Sequence, residues 1–155
     1  MTTRVILFAD IVLAGIVSGI VLGIFFGYNP ATLSAHTYVE QQQNVIRSLN
    51  VLMPALGLFA IVLTITLAVR LRYNKPVLWT LVAAAGLLIF SGAITRFGNQ
   101  PINAIVIEWD LNAIPDTWTD LRDTWWKYHT WRAAASFLAF CCIASTALRR
   151  DIFRD

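Results

Sequence analysis

The stretch that decides the fold is Val51 to Thr95, VLMPALGLFAIVLTITLAVRLRYNKPVLWTLVAAAGLLIFSGAIT. It holds two apolar runs, about 51–69 and about 77–95, separated by a basic turn from Arg70 to Pro76. A helix crosses a hydrocarbon core of about 30 Å with roughly 20 mainly apolar residues. Backbone groups in lipid must find partners within their own segment, so each run reads as a helix. The tight turn makes the pair an antiparallel membrane hairpin. Two more runs meet the same test, about 5–28 and about 131–148. The first exceeds the ~7–15 apolar residues of a signal-peptide core and has no small-residue cleavage site after it, so it reads as a retained helix. The expected fold is all-α: one integral membrane domain over 1–155, a four-helix bundle with its second and fourth helices extended on the outer side.

Composition agrees with that class. Of 155 residues, 57% are hydrophobic and only 14% charged, against about 25% charged in a typical soluble domain. A disordered chain would be charge-rich and poor in aromatics. A disulfide scaffold is excluded because the only two cysteines, Cys141 and Cys142, are adjacent. The net charge of +3 does not make a nucleic-acid binder, since the basic residues do not interleave with aromatics on one patch. Their distribution is a topology signal instead. Arg4, Arg70, Arg72, Lys75, Arg149, Arg150 and Arg154 flank the spans closely on one side, while Arg47, Arg96, Arg122, Lys127 and Arg132 are spread among acidic residues on the other. The positive-inside rule then puts both termini in the cytoplasm, as in a multi-pass protein of a bacterial inner membrane, with lipid as its first partner.

The two outer connections are long. Ser34 suits an N-cap, and a helix is expected to run from there into the second span, kinked at Pro54. Asp116 suits the cap of a fourth helix that reaches about Arg149. Between Arg96 and Pro115 the breakers Gly98, Pro101 and Pro115, with Ile105-Val106-Ile107, predict an ordered loop with a short strand.

Three patterns could carry chemistry. Gly15, Gly19, Gly23 and Gly27 recur every fourth residue of the first span, which suits close helix packing or a flat face for a planar ligand. His36, Glu40, Gln43, Arg47 and Asn50 share one face of the second helix, and Arg122, Trp125, His129, Arg132 and Ser136 share one face of the fourth. A polar stripe that enters a membrane must face a partner, a cavity or water. If the two stripes meet, His129, Arg132, Arg47 and Gln43 surround a cavity at the outer boundary, with Arg96 and Asn99 at its edge and Trp125 among its aromatics. Asp10, inside the first span, is expected to pair with Arg70 or Arg149. The two histidines, His36 and His129, could in principle bind haem, but no CxxCH, HExxH or carboxylate cluster accompanies them, so no cofactor or metal is expected.

Tyr38-Val39-Glu40-Gln41-Gln42, Met53-Pro54, Asn99-Gln100-Pro101-Ile102-Asn103 and Trp125-x-x-x-His129-x-x-Arg132 resemble the anthrone-oxygenase-like family of small membrane proteins. The resemblance covers nearly the whole chain. Fungal members are linked to oxidation of anthrones to anthraquinones without a conventional cofactor. For this chain the resemblance implies an oxidoreductase or oxygenase acting on a lipophilic anthrone, phenol or quinone-type molecule. Neutral His129 would be the base. Arg132 and Arg47 would stabilise the enolate oxygen. Gln43, Asn50, Arg96, Asn99, Asn103 and Trp125 would contact or orient the substrate. The alternative is a non-catalytic membrane subunit or ligand-binding protein, as a homo-oligomer or within a larger complex.

Overall fold

The computed structural model describes residues 2–149, so Arg150 and Arg154 lie outside the described residues. The protein is an all-α, membrane-spanning helical bundle. Its helices are α1 (Thr2–Gly27), α2 (Ala35–Leu49), α3 (Leu52–Arg70), α4 (Lys75–Ile94), α5 (Gln100–Val106) and α6 (Trp118–Thr146). Among the described residues, three helical runs are long and apolar enough to cross a membrane: Thr2–Thr32, Leu52–Arg70 and Lys75–Val106. The helix α6 is not one of them. It has 29 residues, about 43 Å at 1.5 Å per residue, and its first half carries Asp120, Arg122, Asp123 and Lys127.

The hairpin turn forms where expected. The Asn74 side chain accepts from the Val77 backbone N–H at the start of α4, and Pro76 sits in the first turn, where its missing N–H costs nothing. In lipid, helices associate through close van der Waals contact more than through water exclusion, so small residues collect at their seams. Here Ala14 of α1, Ala60 and Ala68 of α3, Ala84 of α4 and Ala139 of α6 form the buried seam together with Leu7, Leu67, Leu81 and Ile143. A second cluster, Ile46, Ile102, Val106 and Trp125, closes the other end, where α2 and α5 lie. Outward-facing Phe8, Phe59, Val62, Trp79 and Leu138 are exposed, as suits a lipid-facing surface.

Several expectations are corrected. The second helix does not run unbroken from Ser34. Ser34 caps α2, but the chain turns at Asn50 and Val51 before α3 begins. Pro54 explains the break: it has no N–H for the carbonyl four residues back, that of Asn50. The Gln100 side chain donates to that carbonyl instead, at 3.3 Å. The predicted strand near Ile105 is helix. After α4 the chain widens into a π-helical turn, Thr95–Asn99, and continues as α5. In this turn the Gln100 N–H reaches back to the Thr95 carbonyl. Inserting a residue in this way shifts the hydrogen-bond register just before Pro101, so the proline ends no helix. Asp116 caps nothing; α6 starts from Thr117 with no side-chain cap. Asp10 is fully buried, but its partner among the described residues is the Thr64 hydroxyl, at 3.0 and 3.2 Å from its two oxygens, not an arginine. Of the α1 glycines only Gly15 packs closely, against Phe140; Gly19, Gly23 and Gly27 face open space.

The π turn lies close against α6. A Cβ at Gly98 would fall 2.8 Å from Cγ of Tyr128, near the backbone end of that ring, where it cannot swing away. Gly98→Ala is therefore expected to destabilise the protein by ~1–3 kcal/mol through overpacking. Unfolding in detergent micelles checks this, and unchanged stability would contradict it.

Candidate functional site

The polar face of α6 points into the bundle. His129 is fully buried, and its ring stacks on Trp125 (centroids 4.9 Å apart, planes within 6°) and on Trp126 (5.5 Å, 17°). One turn further along, Arg132 directs both Nε and Nη2 at His129 Nδ1, at 3.1 and 2.9 Å. A guanidinium has only donors, so Nδ1 must accept. The proton of the neutral ring is then on Nε2, which donates to the Val21 carbonyl of α1 at 3.1 Å. The pair thus fixes the tautomer of His129 and the direction of the Arg132 fork.

Arg132 also forms part of a cavity wall. The cavity has a volume of about 240 Å³. Ligand pockets usually run from ~300 to 1,000 Å³, so this one suits a compact ring system. Met53, Pro54 and Gly57 of α3 form one side, and Leu88, Ser91 and Gly92 of α4 the other. Val17 and Val21 of α1 and Ser136 of α6 close the back, while Thr95 and Arg96 of the π turn and Gln100 of α5 border the top. The lining is mainly apolar, and exposed Leu58 and Gly92 lie on its rim. The third guanidinium nitrogen, Nη1, is 3.5 Å from the Thr95 hydroxyl. A half-buried cation in an apolar recess is suited to a flat, lipophilic molecule that carries or develops negative charge on oxygen.

A chamber of about 30 Å³ lies beside the cavity, and Arg132, Thr95, Met53 and Pro54 line both. Asn50, Asn103 and Trp125 line the chamber, as does Gln42. Asn103 Oδ1 accepts from Trp125 Nε1 at 2.8 Å and from Gln42 Nε2 at 3.3 Å, while Asn103 Nδ2 donates to Asn50 Oδ1 at 2.9 Å.

The expected site residues therefore separate into three groups. Arg132 and Arg96 line the cavity, and Asn50, Asn103, Trp125 and Arg132 line the chamber. His129 and Asn99 support from behind: His129 holds Arg132, and Asn99, fully buried, donates to the Trp125 carbonyl at 3.0 Å. Gln43 and Arg47 are not brought to either space. Gln43 Nε2 is within 2.9–3.3 Å of the carbonyls of Val106, Ile107 and Trp109, and so ties α2 to the end of α5. Arg47 is exposed, and its guanidinium donates to Gln43 Oε1 at 3.4 Å. The reason is the facing of α2: its buried side is Tyr38, Val39, Gln42, Gln43 and Ile46, while His36, Glu40 and Arg47 face outward. His36 pairs with Glu40, at 3.9 Å. Burial holds the Tyr38 hydroxyl above its ordinary titration range; nearby Arg122 opposes that shift and Asp123 adds to it. Among the described residues no three His, Cys, Asp or Glu side chains gather where a metal ion could be held.

Sequence reasoning missed Gln42, Gly57, Gly92, Thr95 and Gln100. Gln42 sits one residue off the polar stripe. The two glycines lie in runs that read only as membrane helix. Thr95 and Gln100 depend on the π turn, which no local pattern announced.

Comparison with known proteins finds no matching curated protein and no matching solved structure. A family model described as anthrone oxygenase matches residues 43–142, well over half of the chain and the whole of the Arg132 cavity apart from its α1 wall, and the protein belongs to that family.

Proposed function

We propose that the protein oxidises a flat, lipophilic, enolisable phenol of the anthrone type. The carrying observation is the apolar cavity with half-buried Arg132 in its wall, hydrogen-bonded through two guanidinium nitrogens to His129. The substrate enters from the bilayer between α3 and α4, past Gly57 and Gly92. Its oxygen lies against Arg132, which favours the enolate over the keto form. Loss of one proton from the ring CH₂ gives that anion. The anion passes an electron to dioxygen, and the two radicals join as a carbon-bound hydroperoxide. Loss of the second C–H proton breaks the O–O bond: one oxygen atom stays as the new carbonyl and the other leaves as water. Dioxygen is the oxidant, and no other electron acceptor is required.

His129 lines neither space at rest, and it is the base in this reading only once Arg132 has moved off it. Its Nδ1 is covered by Arg132 at rest. As the guanidinium turns toward the oxyanion, Nδ1 is uncovered, so anion binding and base activation occur together. The helix α6 is the fourth crossing, and both termini lie on the cytoplasmic side of a bacterial inner membrane, as the basic flanks Arg70, Arg72, Lys75 and Arg149 support. The test is oxygen uptake by the purified protein in lipid nanodiscs with a panel of anthrones and related phenols. Quinone absorbance should rise with one oxygen consumed per quinone. A panel with no turnover would overturn the reading.

Exposed Gly19, Gly23 and Gly27 favour a second reading, a subunit whose α1 packs against another membrane helix. Native mass spectrometry from mild detergent separates the two, since a lone chain argues against a subunit role.

A further inference from the structure

The small chamber behind Arg132 has a polar inventory that does not close on itself. Trp125 Nε1 can only donate, so the atom of Asn103 facing it, at 2.8 Å, must be the amide oxygen. That fixes Asn103, and Asn103 in turn fixes Gln42: its amide nitrogen, 3.3 Å away, faces the same oxygen. Turning Gln42 over would set two acceptors against each other. With both orientations settled, Gln42 Oε1 is left buried in a fully buried residue without a hydrogen-bond partner among the described residues. An orphan acceptor in a low-dielectric setting is costly, and such atoms are normally satisfied by protein or by ordered water.

The chamber beside it has a volume of about 30 Å³. A site needs only ~10–15 Å³ of such volume to accept a water, so a substrate ring does not fit and a single water does. The chemistry selects among molecules of that size. Dioxygen has no hydrogen to give to Gln42 Oε1. Water donates to it and still accepts from Arg132 on the shared wall.

We infer that the chamber is a water site, in which one ordered water donates to Gln42 Oε1 and accepts from Arg132, so that it steadies the guanidinium from the side opposite the substrate. The inference rests on the reading of the cavity only for its effect on substrate; the site itself is tested without one. Water-to-protein magnetisation transfer to the indole N–H of Trp125, in nanodiscs, should give a cross-peak in the wild type. It should be lost in Gln42→Leu, which removes the acceptor. It should also be lost in Val45→Leu, which adds one methylene on the chamber wall and leaves the amide network in place. Anion binding at Arg132 should weaken by about tenfold in Val45→Leu, the scale of a lost bridging water. No wild-type cross-peak, or one that survives in both variants, would overturn the assignment. Wild-type protein that shows the cross-peak yet binds no anthrone would sink the proposed reaction and leave the water site standing.

Discussion

Arg132→Met is expected to lower turnover of an anthrone-type substrate by ~10²–10³-fold, the usual loss when one donor to a developing oxyanion is removed. The bundle should stay folded. Methionine is apolar and flexible enough to fill the space left at the seam of α4 and α6, and the variant no longer holds a charge in an apolar recess. The cost falls on His129, whose Nδ1 loses both of its donors. An unsatisfied buried acceptor costs ~1–3 kcal/mol, part of which the released charge offsets. Arg132→Lys is not a conservative control. An ammonium cannot present two donors to Nδ1 and a third nitrogen toward Thr95, so most of the activity should be lost there as well. Initial rates with unfolding curves for the same samples check both variants. Wild-type rates in Arg132→Met would remove the arginine from the mechanism.

Gly57→Leu is expected to close the cavity without harming the fold. A Cβ at Gly57 meets nothing within 4 Å, and Gly57 lines the cavity, so the added carbons extend into the space read as the substrate's. Glycine inside a helix is less favourable than other residues by ~0.8–1.0 kcal/mol against alanine, so leucine should leave stability unchanged or slightly raised. Turnover should fall by about 100-fold, since even a small displacement of a reacting centre costs that much. A folded Gly57→Leu protein with normal kinetics would place the substrate elsewhere.

The fold was legible where lipid dictates it. The runs around Val51–Val69 and Val77–Thr95 lie in helices because a membrane admits few alternatives, and the Asn74–Pro76 turn carries ordinary start signals. Errors came where the effect of a proline or glycine on a helix was misjudged. Pro54 breaks a helix that read as continuous, and the Asn50 carbonyl it strands is served by Gln100, fifty residues further on. Pro101 does the opposite, because a π turn precedes it. Neither outcome is local, as each depends on a partner brought by tertiary packing.

The inward face of α6 was legible, where Trp125, His129, Arg132 and Ser136 lie together. The inward face of α2 was not, since spacing gave a stripe but could not say which side of the helix meets the bundle. That side carries Gln42 and Gln43, and Arg47 faces outward. Gly57 and Gly92 could not be identified as walls, because in a membrane helix a glycine reads equally as a packing contact or a gap.

The most direct test of the central claim is the ionisation state of a bound anthrone-type molecule, measured by absorbance under anaerobic conditions in nanodiscs, below the pH at which the free molecule ionises. The wild type is predicted to show the red-shifted band of the anion, with Arg132→Met and Gly57→Leu showing none. A molecule that binds with its neutral spectrum, equally well to wild type and Arg132→Met, would contradict the account.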